Sequence, residues 1–244
     1  VWTTGPVAAD TPRASAAVPR GHGVHRARAP PRGVVVQVVD RAWLLNGAPV
    51  PTVENRLAPL TARLDLPPMH GAHTVFPIPA MPIAEFSKNL LGKTRDFLEI
   101  TDEAIQKECL EGRQMAWFVD ATTETKPFGV ASWTVPEKSG NFCSRGGRFG
   151  THSSNESFTP IYYKKIMFFA HFNAGVRAVD IRDPFNPKEI AYYIPAITDN
   201  TDKRCVTTPQ GAQCKVAIQT NNVDVDDRGY IYIVDRADTG MHII

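Results

Sequence analysis

The chain has 244 residues, 43% of them hydrophobic and 21% charged, with 17 Gly and 20 Pro; this balance is too apolar for a disordered protein and too mixed for a fibrous one. Lys and Arg number 27 against 25 Asp and Glu, a net charge of +2, which removes the electrostatic case for nucleic acid or an anionic membrane surface. No apolar run approaches the ~18 residues that a membrane-spanning helix needs, so no membrane span is expected.

The first third of the chain differs in composition from the rest. All ten lysines lie at or after Lys88, whereas residues 1–66 carry eight Arg and only four acidic residues. Residues 1–33 show neither helical nor strand periodicity, and their Pro and Gly interrupt any element that begins. Residues 1–65 are therefore predicted as a disordered or linker segment, with the apolar run Val34 to Val39 as at most one strand. An export leader is not expected, because neither an initiator Met nor an apolar h-region is present. A Pro/Ala-rich linker and a frame-shifted reading of GC-rich DNA both fit this text, and no function is placed there.

Between Ile83 and Gly112, Phe86, Leu90, Leu91, Phe97, Leu98, Ile100, Ile105 and Leu110 recur with partly helical spacing. Thr101 and Glu103 resemble a helix start and Gly112 a C-terminal cap, so 83–112 is predicted as a helical insertion. From residue 114 onward, short β-branched or aromatic runs closed by turn residues predict strands over 114–120, 129–135, 165–172, 176–181, 189–194, 214–218, 222–225, 230–234 and 241–244. The connectors Asn173-Ala174-Gly175 and Asp183-Pro184-Phe185-Asn186-Pro187 carry the turn chemistry. The fold class predicted for the chain is all-β.

Cys109, Cys143, Cys205 and Cys214 make an even count without a CxxC, so thiolate–metal motifs are absent. Cys205 and Cys214 bracket a polar loop, a span suited to a disulfide, with Cys109 and Cys143 as a second pair. Four reduced thiols in a cytosolic protein fit equally, and the compartment stays open at this point.

The segment Ile166–Pro195 contains three strands and two turns, and partial copies occur at Gly229–Ile244 and Gln114–Glu137. In this alignment Asp120, His171 and Asp235 occupy one position, each followed by a turn ending in Gly. Small antiparallel sheets repeated in this way predict propeller blades. The string Gly175-Val176-Arg177-Ala178-Val179-Asp180-Ile181-Arg182-Asp183-Pro184 followed by Asn186-Pro187 resembles the core of LVIVD-repeat β-propellers. The opening Gly71 to Val75 and the stretch Asp224 to Asp235 are similar to the same pattern. The resemblance covers about 66–244 and implies a partial β-propeller of about three to four blades. Propellers usually close with four to eight, so a fragment of a longer protein is expected, with self-association of the open arc as its consequence.

The resemblance implies a binding or scaffold protein, extracytoplasmic in its full-length form, whose loops hold a protein, peptide or glycan partner. An alternative comes from the related-looking selenium-binding propellers with methanethiol oxidase activity. It implies a copper- or zinc-dependent oxidase of a small sulfur compound, with His73, His152 and His171 as metal ligands. Against that set stand local hydrogen bonds, since His171 aligns with two aspartates suited to turns. A lactonase-like hydrolase with channel calcium is a third reading without assignable ligands. Asp224, Asp226 and Asp227 do not match a calcium loop and are read as a turn. Gly146 to Gly150 lacks the Walker lysine, and no G-x-S-x-G elbow is present.

Overall fold

The computed structural model describes residues 15–17, 22–29, 33–46, 50, 52–53, 60–67, 69–83 and 92–244. Strand accounts for 48% of the chain and helix for 6%, which makes the protein all-β. No helix among the described residues is long and apolar enough to cross a membrane. Its strands are β1 (Ser15–Ala17), β2 (His22–Ala29), β3 (Gly33–Asp40), β4 (Leu60–Asp65), β5 (Ala72–Pro82), β6 (Thr94–Asp102), β7 (Ala116–Asp120), β8 (Phe128–Trp133) and β9 (Ser153–Ser154). They continue with β10 (Ile166–Ala170), β11 (Val176–Asp180), β12 (Lys188–Tyr193), β13 (Lys203–Thr208), β14 (Gly211–Val216), β15 (Thr220–Val225), β16 (Ile231–Asp235) and β17 (Met241–Ile243). In every sheet the strands lie side by side in chain order: β1-β2-β3-β4, β5-β6-β7-β8, β9 to β12, the pair β13-β14, and β15-β16-β17.

The chain forms two compact units. The first holds the described residues up to Ile100 together with Trp117–Val130. Its core joins Val36 and Val38 of β3 to Ala62, Leu66, Ala72, Val75, Leu98, Ile100, Val119 and Ala121. The predicted strand at 34–39 is therefore real, but it is not alone. It pairs with β2 from His22↔Asp40 to Ala29↔Gly33 and with β4 from Val35↔Asp65 to Val39↔Leu60. This corrects the expectation of disorder wherever 1–65 is described; the remainder of that segment lies outside the described residues. Asp40 caps α1 (Arg41–Asn46) by accepting the amides of Ala42 (2.8 Å) and Trp43 (3.1 Å).

The helical insertion expected over 83–112 is also corrected, apart from 84–91, which lie outside the described residues. Thr94–Asp102 is strand β6, and its last six residues are all buried. A strand buried on both faces has apolar side chains on consecutive positions, so Phe97, Leu98 and Ile100 imitate helical spacing. On β5, Pro77 and Pro79 lie two apart, and their missing N–H groups fall on one edge. β5 is the edge strand of its sheet, which is where such residues are tolerated. Asp120, at the end of β7, accepts from Thr122 N (2.9 Å) and pairs with Arg95 at 2.8 Å, both side chains being largely buried.

The second unit holds Thr101–Ala116 and Ala131–Ile244. Sheets β9–β12 and β15–β17 pack through Phe168, Ala170, Val176, Ala178, Val223, Val225 and Ile233. Phe172 and Thr220 exchange backbone hydrogen bonds of 3.1 Å between them. The β10–β11 turn requires Gly175: φ is +76°, and a Cβ there would lie 2.2 Å from the Tyr193 carbonyl oxygen. The hairpin β13–β14 stands between the two sheets in the chain, with register Lys203↔Val216 to Thr208↔Gly211.

The strand order also shifts the repeat alignment. Asp120 ends the third strand of its sheet, as Asp180 does in β9–β12, and each accepts the amide two residues on, from Thr122 (2.9 Å) and Arg182 (3.0 Å). By strand order Asp120 corresponds to Asp180 and Asp235 to His171, although Asp235 also accepts the amide two residues on, from Ala237 (2.6 Å). The sequence alignment is off by one strand because all inner strands carry the same short apolar text.

Candidate functional site

In the second unit, the chain segments that follow β6, precede β9 and follow β16 bring charged side chains around the ring of Phe172. Glu103 lies just beyond β6, and its neighbour Ala104 is anchored by donating to Thr151 O (2.9 Å). His152 stands immediately before β9, held by its own amide donating to Ala170 O (2.9 Å). Its Nδ1 lies 2.5 Å from Asn221 O. A carbonyl only accepts, so Nδ1 carries the proton, and in the neutral ring Nε2 carries the lone pair. Nε2 faces Glu103 Oε1 at 3.7 Å.

Two arginines converge on that same oxygen. Arg148 Nη1 donates to Glu103 Oε1 at 3.0 Å, and Arg236 Nη1 lies 3.8 Å away. Both guanidinium groups stand over Phe172, at 5.5 and 4.8 Å from its centroid. Arg236 also donates to Asn221 Oδ1 at 2.8 Å. Burial pulls the Arg236 pKa down, and the neighbouring Arg148 charge adds to this. Arg148 is fixed through its backbone, which donates to Gln219 Oε1 (2.9 Å) and accepts from Gln219 Nε2 (3.3 Å). Gln219 is in turn held by its amide donating to Asp235 Oδ2 (2.5 Å).

The chain matches no family model and no curated protein. What the site does must therefore be argued from its own atoms.

The three histidines proposed as ligands have different settings. His73 is on β5 in the first unit, half-buried, with Nδ1 3.2 Å from Thr74 Oγ1. His152 is nine-tenths buried and faces an acid. His171 is completely buried between Trp133 and Phe149, and neither ring nitrogen has a hydrogen-bond partner. Burial, reinforced by the Arg177 charge, holds its pKa down to about 3, so the ring is neutral. Among the described residues, no group of three or more ligand-type side chains includes His171. The His73, His152, His171 set is therefore corrected at His171. The hydrogen-bonded turn expected for that side chain is not formed either: its backbone N–H, not its ring, bonds Gly175 O at 2.8 Å.

Sequence reasoning missed Glu103, Arg148 and Arg236, whereas Asn221 opens one of the segments whose first polar residue is expected to face a central axis, like His73 and His152. In the sequence Glu103 reads as part of a helix start, and Arg148 stands in a Gly-rich stretch that reads as a loop between blades. Arg236 follows Asp235, and that was the one available signal, since a strand end with a turn acid is where repeat proteins place exposed function. The acidic run near Gly229 is a turn: Asp226 accepts from Arg228 N and Tyr230 N, both at 3.0 Å. Both cysteine pairs are bonded, Cys205 to Cys214 and Cys109 to Cys143, and no free cysteine remains among the described residues.

Proposed function

We propose that the chain carries blades of an LVIVD-repeat type β-propeller that acts as a binding or scaffold protein in an oxidising compartment. The observation that carries this reading is the repetition of one plan. Sheets β5–β8 and β9–β12 have the same strand order and the same Asp-centred turn after the third strand, and β15–β17 begins a further copy. The two disulfides support an extracytoplasmic location, where such bonds persist. They tie the 103–112 and 137–150 loops and the β13–β14 hairpin into fixed shapes, and loops on a rigid scaffold are where repeat proteins bind protein, peptide or glycan partners.

A second reading, the copper- or zinc-dependent oxidase, is favoured by one observation. His152 donates from Nδ1 to a backbone carbonyl and turns Nε2 toward a carboxylate, which is how metal-ligating imidazoles are oriented. The competing observation is that Arg148 already holds that carboxylate. Elemental analysis by plasma mass spectrometry separates the two. The binding reading expects no stoichiometric metal, and binding on peptide and glycan arrays that is retained in His152→Ala. About one copper or zinc per chain, lost in His152→Ala and accompanied by thiol oxidation, would replace it with the oxidase.

A further inference from the structure

We propose that the Cys109–Cys143 disulfide is a redox latch that holds a strained turn closed and so fixes the Arg148–Glu103–His152 cluster. This inference stands apart from the propeller reading. Leu110 N donates to Lys107 O at 3.1 Å across Glu108 and Cys109, whose φ angles are +52° and +60°. Two consecutive positive φ angles make a turn that is favoured by Asn-Gly and costly for residues with larger side chains. Here it is built from Glu and Cys. Such a conformation persists only where its surroundings impose it.

The surroundings are on hand, and the disulfide is the covalent one. Glu111 Oε1 accepts the amides of Ile105 (2.6 Å) and Gln106 (2.9 Å), closing the loop on itself. Glu108 N donates to Gly147 O at 2.8 Å, and Lys107 bridges to Arg148. The disulfide joins the same two segments two residues from the bridge on one side and five on the other. Opening it leaves hydrogen bonds and the ion pair of Glu108 with Lys215 (2.8 Å) to resist relaxation of the turn, and Arg148 is the residue through which that relaxation reaches Glu103 and His152. Both cysteines are partly exposed. Cys109 also lines a small surface cleft with Glu111, Gln114, Phe149 and Gly150.

The chemistry is thiol–disulfide exchange with a dithiol. One thiolate attacks a sulfur of the bond, forming a mixed disulfide and releasing one cysteine thiolate. The second thiol resolves it, leaving Cys109 and Cys143 as two protonated thiols and the dithiol oxidised. The Cys205–Cys214 bond has no such leverage. It joins directly opposed positions in a hairpin whose six residue pairs keep register around it.

The test is graded native reduction of the whole chain with dithiothreitol, thiol labelling with peptide mapping, and amide hydrogen exchange. Cys109 and Cys143 are expected to be labelled while the chain stays folded. Exchange at Glu108, Leu110 and Arg148 should rise roughly tenfold or more and return on reoxidation, with β10 and β11 unchanged. Glu108→Asn, which keeps the disulfide but suits the left-handed conformation, should blunt that rise. Labelling only under denaturant, unchanged exchange after reduction, or a rise in Glu108→Asn equal to wild type would each overturn the latch. So would general unfolding of either the reduced chain or Cys109→Ser, because the bond would then be a structural staple.

Discussion

Acid should unfold this protein through His171, and the size of the effect follows from its setting. The imidazole is fully buried among Trp133 and Phe149 with its pKa held at about 3, against 6.5 in an ordinary environment. The folded pKa is the depressed one, so the unfolded chain takes up the proton first. Stability from this group is complete above pH ~6.5 and is lost as pH falls from there toward 3. At pH 4.5 the linkage amounts to about 3 kcal/mol, rising to about 4 kcal/mol at pH 3, at 1.36 kcal/mol per pKa unit. Other groups titrate in the same range: burial raises Glu111, and burial with Asp224 raises Glu156, which opposes the loss. The comparison must therefore be a difference. Urea unfolding of wild type, His171→Leu and His171→Gln at pH 7 and pH 4.5 supplies it. Both variants are expected to be less stable than wild type at pH 7 but to lose about 3 kcal/mol less on acidification. Equal losses in all three would show that the buried ring is not the acid-sensitive group.

Gly175→Ala should cost at least ~2 kcal/mol by chemical denaturation, because φ is +76° and the new methyl would collide with the Tyr193 carbonyl. Gly129→Ala, with nothing within 4 Å, should be neutral within about 0.5 kcal/mol or mildly stabilising. Arg95→Ala should cost roughly 3–5 kcal/mol in the same measurement, since it leaves the Asp120 carboxylate buried without its cation. The double variant Cys205→Ala/Cys214→Ala should lose about 2–3 kcal/mol at most, the closure entropy of a loop this short, seen as a lower melting temperature in calorimetry.

The strands after residue 114 were legible because their turns are written in local chemistry. Asp183-Pro184 and Asn186-Pro187 bound β12, Gly175 bounds β11, and Asp226 with Gly229 bounds β16, and the structural ends fall within a few residues of the predicted ones. β6 was illegible for the opposite reason: burial on both faces erases alternation, and Thr101-Asp102-Glu103 reads as a cap only if a helix follows. β13 was missed because none of its residues is fully buried and it carries Lys203, Arg204 and two threonines, which look like loop. At the candidate site, His152 could be picked out as a polar residue opening a strand. Its acid and its arginines could not, because Glu103, Arg148 and Arg236 meet only when three inter-strand segments converge. His171 misled because an unpaired imidazole sealed among aromatic rings is spelled in the same way as a ligand.

The prolines of β5 have a consequence beyond their own strand. Pro77 and Pro79 lie two apart on β5, so both nitrogen atoms fall on the same margin of the strand and neither carries a hydrogen. That margin lacks a donor at two successive pairing positions. A further strand could not be given a complete ladder on that margin, because two of the amides it would need are missing. Replacing both prolines with Thr would restore the missing donors without adding charge. Accelerated seeding of thioflavin-positive aggregates by that variant, at unchanged native stability, would measure how far this margin has been shaped by solubility and not by folding.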